Sequence, residues 1–413
     1  MSDYQASYEY AHSLTAADPL AGFRDRFYIP KAPDGSDCVY LCGHSLGLQP
    51  KTVRSYLEEE LEDWARLGVE AHFRARHPWM PYHRLLTEPA ARLLGALPIE
   101  VVVMNSLTVN LHLMMVSFYR PTRERHKIVI EENAFPSDQY AVKSQIQCHG
   151  FDPGESLLTV AGEDELESLL GREGASVALI LLAGVNYSTG RAFDLTRVTN
   201  AGHAHGCRVG FDLAHAAGNL HLKLHDSGAD FAVWCSYKYL NAGPGNIAGC
   251  FVHERHARAQ LPRFAGWWGH DQETRFRMGP DFHAMPGAEG WQLSNPAVLP
   301  LAALRASLDI FDEAGIERLR AKSVRLTAYL EFLLLRQADL GFSIVTPADP
   351  ERRGAQLSIR VPGKTRDICE RLAAQGILCD WREPDILRVA PAPLYNSFLD
   401  VYLFAERFAG LVV

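Results

Sequence analysis

Short apolar segments alternate with segments of helical periodicity between residues 101 and 252. The apolar segments, each typical of a β-strand, are 101–104, 127–131, 177–182, 207–211, 231–235 and 247–252. Strands and helices at this spacing predict βαβ units and a mainly parallel sheet. Ligands of such sheets bind at the carboxyl ends of the strands. We therefore expect an α/β fold whose site lies along one edge of the sheet.

The segment 231–235 leads into Lys238, which is followed by the turn 241–245. A lysine at the end of a buried strand costs free energy unless its amine has a partner or a function. In a partly dry pocket such an amine loses its proton more readily, and it can form a Schiff base with an aldehyde cofactor. The alternative is an amine that extends to solvent, which is favoured for a lysine taken alone.

Asp212 shifts the balance towards the cofactor. It ends the segment 207–211 and lies 26 residues before Lys238, so both side chains are expected at the same sheet edge. A carboxylate placed there can keep the ring nitrogen of pyridoxal 5'-phosphate protonated, and the ring then accepts electrons from the substrate Cα. The two residues together favour a pyridoxal-phosphate site.

Two further strand ends carry residues that suit this cofactor. The strand 101–104 runs through residues 105–108 into a helix, and a helix N-terminus binds phosphate through its free N–H groups. The strand 127–131 is followed by Phe135. This aromatic side chain either stacks on a flat ring or packs in the core, and the sequence leaves both roles open.

The sequence pattern divides the chain into three parts. Residues 1–50 are a polar and aromatic N-terminal arm, which we expect to complete the small domain. Residues 51–300 form the large cofactor-binding domain. Residues 301–413 contain two long helical patterns followed by strand, helix, strand and helix, and these predict a small α+β domain.

The first helix of the large domain is predicted to be amphipathic. Leu57, Leu61 and Trp64 fall on one helical face, which we expect to face the core. The acidic runs 58–60 and 62–63 then form the solvated face.

Two other segments are candidates for substrate contacts. Arg388 lies in an otherwise apolar strand, so its guanidinium needs a carboxylate. An amino-acid substrate or an internal salt bridge could supply that group, and both alternatives are open. The Gly-rich loop 43–50 is either a substrate contact or a plain turn, and taken alone it favours a turn.

Composition limits the partners and the location. The net charge is −8, and 22% of the residues are charged, which argues against nucleic acid or an anionic membrane as the main partner. The eight cysteines form no CxxC pair, as is typical of reduced thiols rather than disulfides or zinc ligands. Residues 1–25 do not resemble a signal peptide, and the longest apolar run, 177–185, is too short to span a membrane. We expect a cytoplasmic protein.

Several sequence words, in order along the chain, resemble the kynureninase family of pyridoxal-phosphate enzymes, which have the fold-type I aminotransferase fold. They are CGHSLGLQP (42–50), SLTVNLHLM (106–114), AFPSDQYA (134–141), VGFDLAHAAGN (209–219), CSYKYLNAGPG (235–245), GWWGH (266–270), LSNP (293–296) and RVAPAPLYNSF (388–398). The resemblance extends over nearly the whole chain. It implies a large domain with a mainly parallel sheet, a small α+β domain, and a homodimer whose active sites are built from both chains.

The resemblance also implies a set of site residues. Those expected to bind the cofactor are Leu107, Thr108, Phe135, Pro136, Ser137, Asp138, Asp212, His215, Tyr237, Lys238, Trp267 and Asn295. Those expected to bind the amino-acid substrate are Ser45, His72, Asn295 and Arg388. Trp267 and Asn295 are expected to come from the second subunit. Ala183 departs from the family pattern, because some members carry a hydroxyl residue there that helps to hold the cofactor.

The chemistry that the resemblance implies is hydrolysis of the Cβ–Cγ bond of L-kynurenine or 3-hydroxy-L-kynurenine. The products are anthranilate or 3-hydroxyanthranilate and L-alanine, in tryptophan catabolism or NAD biosynthesis. Lys238 is the expected Schiff-base lysine and the general base at Cα. Tyr237 is expected to protonate Cβ, with Lys238 or a water as alternatives. No metal is required.

His72 and Asn295 match the branch of the family that prefers 3-hydroxykynurenine. A site that hydrogen-bonds a hydroxyl discriminates strongly against the analogue without it. This preference is a hypothesis.

Three alternative functions remain. Another fold-type I enzyme is the nearest, but a cysteine desulfurase needs a nucleophilic cysteine in a mobile late loop, and Cys369 and Cys379 fall on a helical pattern and near a strand. A catalytically silent cofactor-binding protein would have no need of both Lys238 and Asp212. An NAD oxidoreductase would need a glycine fingerprint that the chain lacks.

Overall fold

A computed structural model describes residues 4–412 of the protein. The strands are β1 Val39–Tyr40, β2 Val101–Val103, β3 Lys127–Glu131, β4 Leu157–Val160, β5 Val177–Ala183, β6 Arg208–Asp212, β7 Phe231–Trp234, β8 Gly249–Val252, β9 Ser343–Ile344, β10 Leu357–Arg360, β11 Ile377–Leu378, β12 Asp380–Arg382 and β13 Ile386–Val389. The helices are α1 Tyr8–Ala16, α2 Val53–Leu67, α3 Ala71–Arg74, α4 Arg84–Leu94, α5 Leu107–Phe118, α6 Pro136–Cys148, α7 Pro153–Ser156, α8 Glu163–Glu173, α9 Leu195–Ala204, α10 Leu224–Ser227, α11 Val298–Ala314, α12 Ile316–Leu335, α13 Asp367–Ala373 and α14 Phe398–Val412.

A seven-stranded sheet in the order β2-β8-β7-β6-β5-β3-β4 forms the centre of the large part. From β7 to β4 all neighbouring strands are parallel, whereas β8 is antiparallel to both β7 and β2. The predicted α/β class with a mainly parallel sheet is therefore confirmed. The strand β8 reverses because the loop 235–248 contains no helix, and a parallel return would need a crossover.

Apolar side chains cover both faces of this sheet. The strand β5 is an unbroken apolar run whose first six residues are buried, as expected for a central strand with helices on both sides. The helices α2, α4 and α11 pack together beside the sheet, and α5 and α6 pack together against it. This arrangement fixes the carboxyl ends of β3, β5, β6 and β7 along one edge.

A second hydrophobic core belongs to a smaller part of the molecule. An antiparallel sheet of order β12-β13-β10-β9 packs with α12 and α14. The N-terminal residues join it, because α1 packs on α14 and β1 pairs with β11. Domain boundaries at residues 50 and 300 stay a prediction.

The orientation of α2 differs from the sequence-based expectation. Glu60 and Asp63 are each 1% exposed, whereas Leu61 and Trp64 are 45% and 59% exposed. Glu60 accepts a hydrogen bond of 2.8 Å from the hydroxyl of the buried Tyr82. The prediction of a solvated acidic face was therefore wrong for Glu60 and Asp63, whose carboxylates accept hydrogen bonds from nearby donors, whereas Glu58 and Glu62 are exposed as expected. The helix instead presents Leu61 and Trp64 as an exposed apolar face.

Candidate active site

The carboxyl ends of β3, β5, β6 and β7 and the N-termini of α5 and α6 form a pocket that is partly open to solvent. The residues that line it are Leu107, Thr108, Glu131, Phe135, Ser137, Asp138, Ala183, Val185, Tyr187, Asp212, Ala214, His215, Tyr237 and Lys238. The pocket thus brings together most of the residues that the sequence assigned to the cofactor.

Two helix N-termini form one wall of the pocket. The hydroxyl oxygens of Thr108 in α5 and Ser137 in α6 lie 3.0 Å apart. No side chain caps the first N–H groups of either helix. Free N–H groups, hydroxyls and two positive helix ends are the features that a phosphate group requires. Pro136 occupies the first turn of α6 but is exposed and does not line the pocket.

Lys238 follows β7, lines the pocket and is half-buried. Its Nζ atom lies 5.7 Å from the centroid of the Phe135 ring and 5.8 Å from that of the Tyr237 ring. Gly47 contacts the loop that carries Lys238, because its N–H donates a 2.8 Å hydrogen bond to the Tyr237 carbonyl. A Cβ atom at Gly47 would lie 2.3 Å from the Lys238 carbonyl oxygen, so only glycine allows this close approach. The segment 43–50 is therefore more than a plain turn.

Three carboxyl groups surround this amine. Burial raises the pKa of Asp212, although the hydrogen bond from Asp138 and the charge of Lys238 act in the opposite direction. Burial and the Asp212 charge raise the pKa of Asp138 well above its ordinary value, which favours a protonated Asp138 that can donate a hydrogen bond to Asp212. Burial also raises the pKa of Glu131 to about 7. Glu131 accepts a 3.0 Å hydrogen bond from the Ala183 N–H. Asp212 is thus the group of the three that is best placed to be an anion.

His215 and Tyr237 also line the pocket, and the shifts of their pKa values favour their neutral forms. Burial, with the charges of Lys238 and Arg388, lowers the pKa of His215 well below its ordinary value. Its imidazole is therefore uncharged at neutral pH. Burial and the neighbouring Cys235 raise the pKa of the Tyr237 phenol. Tyr237 therefore keeps its proton and can donate it.

Pyridoxal phosphate fits this set of groups. Asp138 Oδ1 and His215 Nδ1 are buried and have no hydrogen-bond partner within residues 4–412. Buried polar atoms of this kind normally find a partner, which a polar ring in the pocket would supply. The carboxylate of Asp212 suits a protonated ring nitrogen, and the two helix N-termini suit the phosphate. The role of each residue towards the cofactor stays a prediction.

Arg388 is 1% exposed and is enclosed by a group of side chains that we call the Arg388 cage, namely Asp380, Ser45, His44 and the Tyr187 carbonyl. Its Nε and Nη2 atoms lie 2.7 and 2.5 Å from the two carboxylate oxygens of Asp380. Its Nη1 donates to the Tyr187 carbonyl at 2.7 Å, and Nη2 to Ser45 Oγ at 3.2 Å. The Nε2 atom of the buried His44 lies 3.2 Å from Asp380. The internal salt bridge that the sequence left open is therefore present.

The salt bridge does not use every N–H donor of Arg388. A guanidinium has five N–H donors, and the four contacts of the cage leave one of them free. The contact to Ser45 is the longest of the four. Tyr187 connects the cage to the pocket, since it lines the pocket and its ring centroid lies 5.2 Å from that of Phe135. A substrate carboxylate at Arg388 stays a prediction.

Three predicted site residues lie elsewhere on the protomer. Trp267 is 41% exposed, Asn295 is exposed, and His72 is half-buried on α3. None of the three lines the pocket that residues 4–412 form. Their assignment to the site stays a prediction.

The structure adds residues to the site that sequence reasoning missed. Glu131 is the last residue of β3 and lines the pocket. Its position at the end of an apolar strand could have marked it as a site residue. Tyr187 also lines the pocket, and its position soon after the predicted strand 177–182 was a similar signal. Asp380 could not be found, because it faces Arg388 only through the pairing of β12 with β13. The strand β12 gave no distinct pattern.

Comparisons with known proteins agree with this geometry. A sequence profile described as the kynureninase C-terminal domain matches residues 319–408. A kynureninase from Koribacter versatilis is 68% identical, and the alignment covers 98% of each chain. One from Myxococcus xanthus is 61% identical with the same coverage.

Solved structures also share the fold. The C-DES protein with glycine linked to its PLP cofactor aligns with a TM-score of 0.77 at 18% identity, over 94% of this chain and 98% of that one. A cysteine desulfurase from Escherichia coli aligns with a TM-score of 0.76 at 20% identity, over 95% of this chain and 99% of that one. At these identities the likeness establishes the fold alone. The two kynureninases are far more similar in sequence, and the chain belongs to the kynureninase family of pyridoxal-phosphate-dependent hydrolases.

Proposed function

We propose that this chain hydrolyses L-kynurenine and 3-hydroxy-L-kynurenine between Cβ and Cγ, giving the corresponding anthranilate and L-alanine. One observation carries the proposal: a pocket that contains Lys238 and Asp212 adjoins a buried arginine, Arg388. An amino acid whose α-amine reacts near Lys238 would direct its α-carboxylate towards Arg388. Family membership at 68% identity supports the same substrate class.

Pyridoxal phosphate, when bound, supplies an aldehyde for the amine and a ring that accepts electrons from the substrate Cα. Asp212 would hold the proton on the ring nitrogen, and a hydrogen bond from the buried Asp138 would favour the ionised form of Asp212. His215, whose pKa is lowered, would offer the cofactor an uncharged imidazole. These residues would orient the cofactor.

Lys238 and Tyr237 move the protons of the reaction. The amine of Lys238 removes the proton from the substrate Cα as general base. Water adds to the γ-carbonyl, and the Cβ–Cγ bond breaks to release the anthranilate. The phenol of Tyr237, which keeps its proton because its pKa is raised, protonates Cβ. The alanine product then leaves.

Replacing Arg388 by alanine should raise KM for kynurenine about 100-fold, because a buried charged hydrogen-bond pair with the substrate is lost. Kynuramine, which lacks the α-carboxylate, should bind equally well to both proteins. Steady-state kinetics and binding titrations measure the two effects. Arg360→Ala, on the exposed side of β10, is the matched control. An equal loss for kynuramine would show that the substitution damages the fold instead.

A homodimer with shared active sites completes the proposal. Leu61 and Trp64 on α2 are exposed apolar residues. The segment 264–282 also exposes aromatic side chains, among them Trp267 at 41%. Apolar patches of this kind are typical of interfaces. The partner subunit is the expected source of the Trp267 and Asn295 that complete each pocket.

Mixing two inactive variants tests this sharing. Lys238→Ala and Trp267→Ala chains, refolded together, should form hybrid dimers with one intact site. Random pairing predicts about one quarter of the wild-type activity. Native mass spectrometry counts the hybrids. Hybrids that form without recovering activity would place both residues in one chain's site.

The substrate preference is proposed from His72 and Asn295. His72→Phe should lower kcat/KM for 3-hydroxykynurenine relative to kynurenine by about tenfold, because a hydrogen bond to the ring hydroxyl is lost. Steady-state kinetics with both substrates give the ratio. His221→Phe, which replaces an exposed histidine, is the control. An unchanged ratio in His72→Phe would refute the preference.

The pathway and location are proposed on the same basis. Hydrolysis of either substrate serves tryptophan catabolism, and that of the hydroxylated one serves NAD biosynthesis. No helix within residues 4–412 is long and apolar enough to cross a bilayer. The cytoplasmic location and the absence of a nucleic-acid partner stay predictions from composition.

Product analysis tests the reaction. The purified holoenzyme should convert each kynurenine into its anthranilate and alanine, whose ratio chromatography gives directly. Release of sulfide from cysteine, or of a keto acid from an amino donor, without cleavage of kynurenine would favour the desulfurase or aminotransferase alternative.

A further inference from the structure

Two cysteines lie side by side next to the Arg388 cage. Cys369 belongs to α13, and Cys379 lies between β11 and β12. Their Sγ atoms are 3.9 Å apart, and both residues are half-buried. A disulfide needs an S–S distance of about 2.05 Å. The two sulfur atoms would therefore have to approach each other by about 1.9 Å.

The environment of the two thiols makes one of them reactive. The Cys379 thiol donates a hydrogen bond to Cys369, and this bond lowers the pKa of the Cys369 thiol. A thiolate is the form that attacks an oxidant, so Cys369 would react first. Cys379 lies next to Cys369 and would act as the resolving thiol, which attacks the oxidised sulfur of Cys369. The more exposed Cys148 has no such partner within residues 4–412.

The pair is directly connected to the residues that hold Arg388. Cys379 immediately precedes Asp380, whose carboxylate pairs with Arg388. The residue before Cys379, Leu378, accepts a 2.8 Å hydrogen bond from the Leu41 N–H. Leu41 directly follows β1, and the chain continues from it to Ser45 of the cage. A bond that pulls Cys379 towards α13 would therefore move Asp380, Ser45 or both, which are the side-chain partners of Arg388.

We propose that Cys369 and Cys379 are a redox modification site, which peroxide converts to a disulfide that weakens binding of a substrate α-carboxylate at Arg388. The second part rests on the proposed role of Arg388. The Cys369 thiolate attacks one oxygen of hydrogen peroxide, the O–O bond breaks, and sulfenic acid and one water form. The Cys379 thiol then attacks that sulfur, the S–S bond forms, and a second water leaves. Two thiols lose two electrons and two protons, which the peroxide accepts.

The first experiment detects the bond itself. Holoenzyme treated with hydrogen peroxide should lose two thiols in a thiol count and gain no oxygen by intact-mass measurement. Proteolysis should give a peptide pair joined through Cys369 and Cys379. Cys369→Ser and Cys379→Ser should each prevent the link, whereas Cys148→Ser should not. Oxidation confined to Cys148, or Cys369 and Cys379 that stay reduced, would overturn the proposal.

The second experiment measures the effect on the site. L-alanine titrated into holoenzyme and followed by visible absorbance should bind about tenfold more weakly after oxidation. Dithiothreitol should restore the affinity, and kynuramine should bind equally before and after. Alanine binding needs no cleavage of kynurenine, so this result is independent of the proposed reaction. Unchanged alanine affinity after complete disulfide formation, or an equal loss for kynuramine, would overturn the effect on Arg388.

Discussion

Replacing Lys238 by alanine is expected to lower kcat for kynurenine by about 10⁴-fold or more, the largest effect of any single substitution. Lys238 is the amine that the pocket places among Asp212, Asp138 and Glu131. Its loss would remove both the proposed nucleophile that anchors the cofactor and the proposed base that takes the proton from Cα. No other lysine lines the pocket formed by the described residues.

The measurement combines single-turnover kinetics with the visible spectrum of the cofactor. Lys143→Ala, an exposed lysine on α6, is the matched control and should retain full activity. Thermal unfolding of both variants verifies that the fold is intact. A Lys238→Ala protein with activity within tenfold of wild type would refute the role given to this residue.

Asp212→Asn is expected to lower kcat by about 10²- to 10³-fold, the range for loss of one preorganised electrostatic group. The carboxylate of Asp212 is buried, and it accepts a 2.7 Å hydrogen bond from the Ala214 N–H. An asparagine amide fills the same space but cannot keep a ring nitrogen protonated. Burial, the largest cause of the raised pKa of Asp138, persists in this variant and disfavours Asp138 as a replacement anion.

Two readouts separate chemistry from binding. In Asp212→Asn, the rate at which the substrate Cα exchanges its proton in deuterated water should fall in proportion to kcat. The affinity for the cofactor, measured by absorbance titration, should fall less. Asp226→Asn, an exposed aspartate on α10, is the control. If the exchange rate in Asp212→Asn matched that of the wild type, the pairing with the ring nitrogen would be wrong.

Periodicity predicted the sheet because central strands carry a strong signal. The predicted strand 127–131 matches β3, and Lys238 and Asp212 lie in one pocket because parallel strands end at one edge. The pattern did not predict β4, whose first three residues are only partly buried or exposed. Weakly buried edge strands lack the alternation on which such predictions depend.

The misplaced face of α2 and the missed Asp380 have a common physical cause. Glu60 is buried because Tyr82 and Trp79, distant in sequence, donate hydrogen bonds to it. Asp380 is a site residue because pairing of β12 and β13 places it opposite Arg388. Both depend on long-range partners, which a local pattern of apolar and charged residues does not encode.

The most direct test of the central claim is cleavage of L-kynurenine in H₂¹⁸O. The proposed reaction adds water to the γ-carbonyl before the Cβ–Cγ bond breaks. The holoenzyme should therefore release equimolar anthranilate and alanine, with ¹⁸O in the carboxylate of anthranilate and none in alanine. Unlabelled anthranilate, or consumption of kynurenine to a keto acid without alanine, would contradict hydrolytic cleavage at this site.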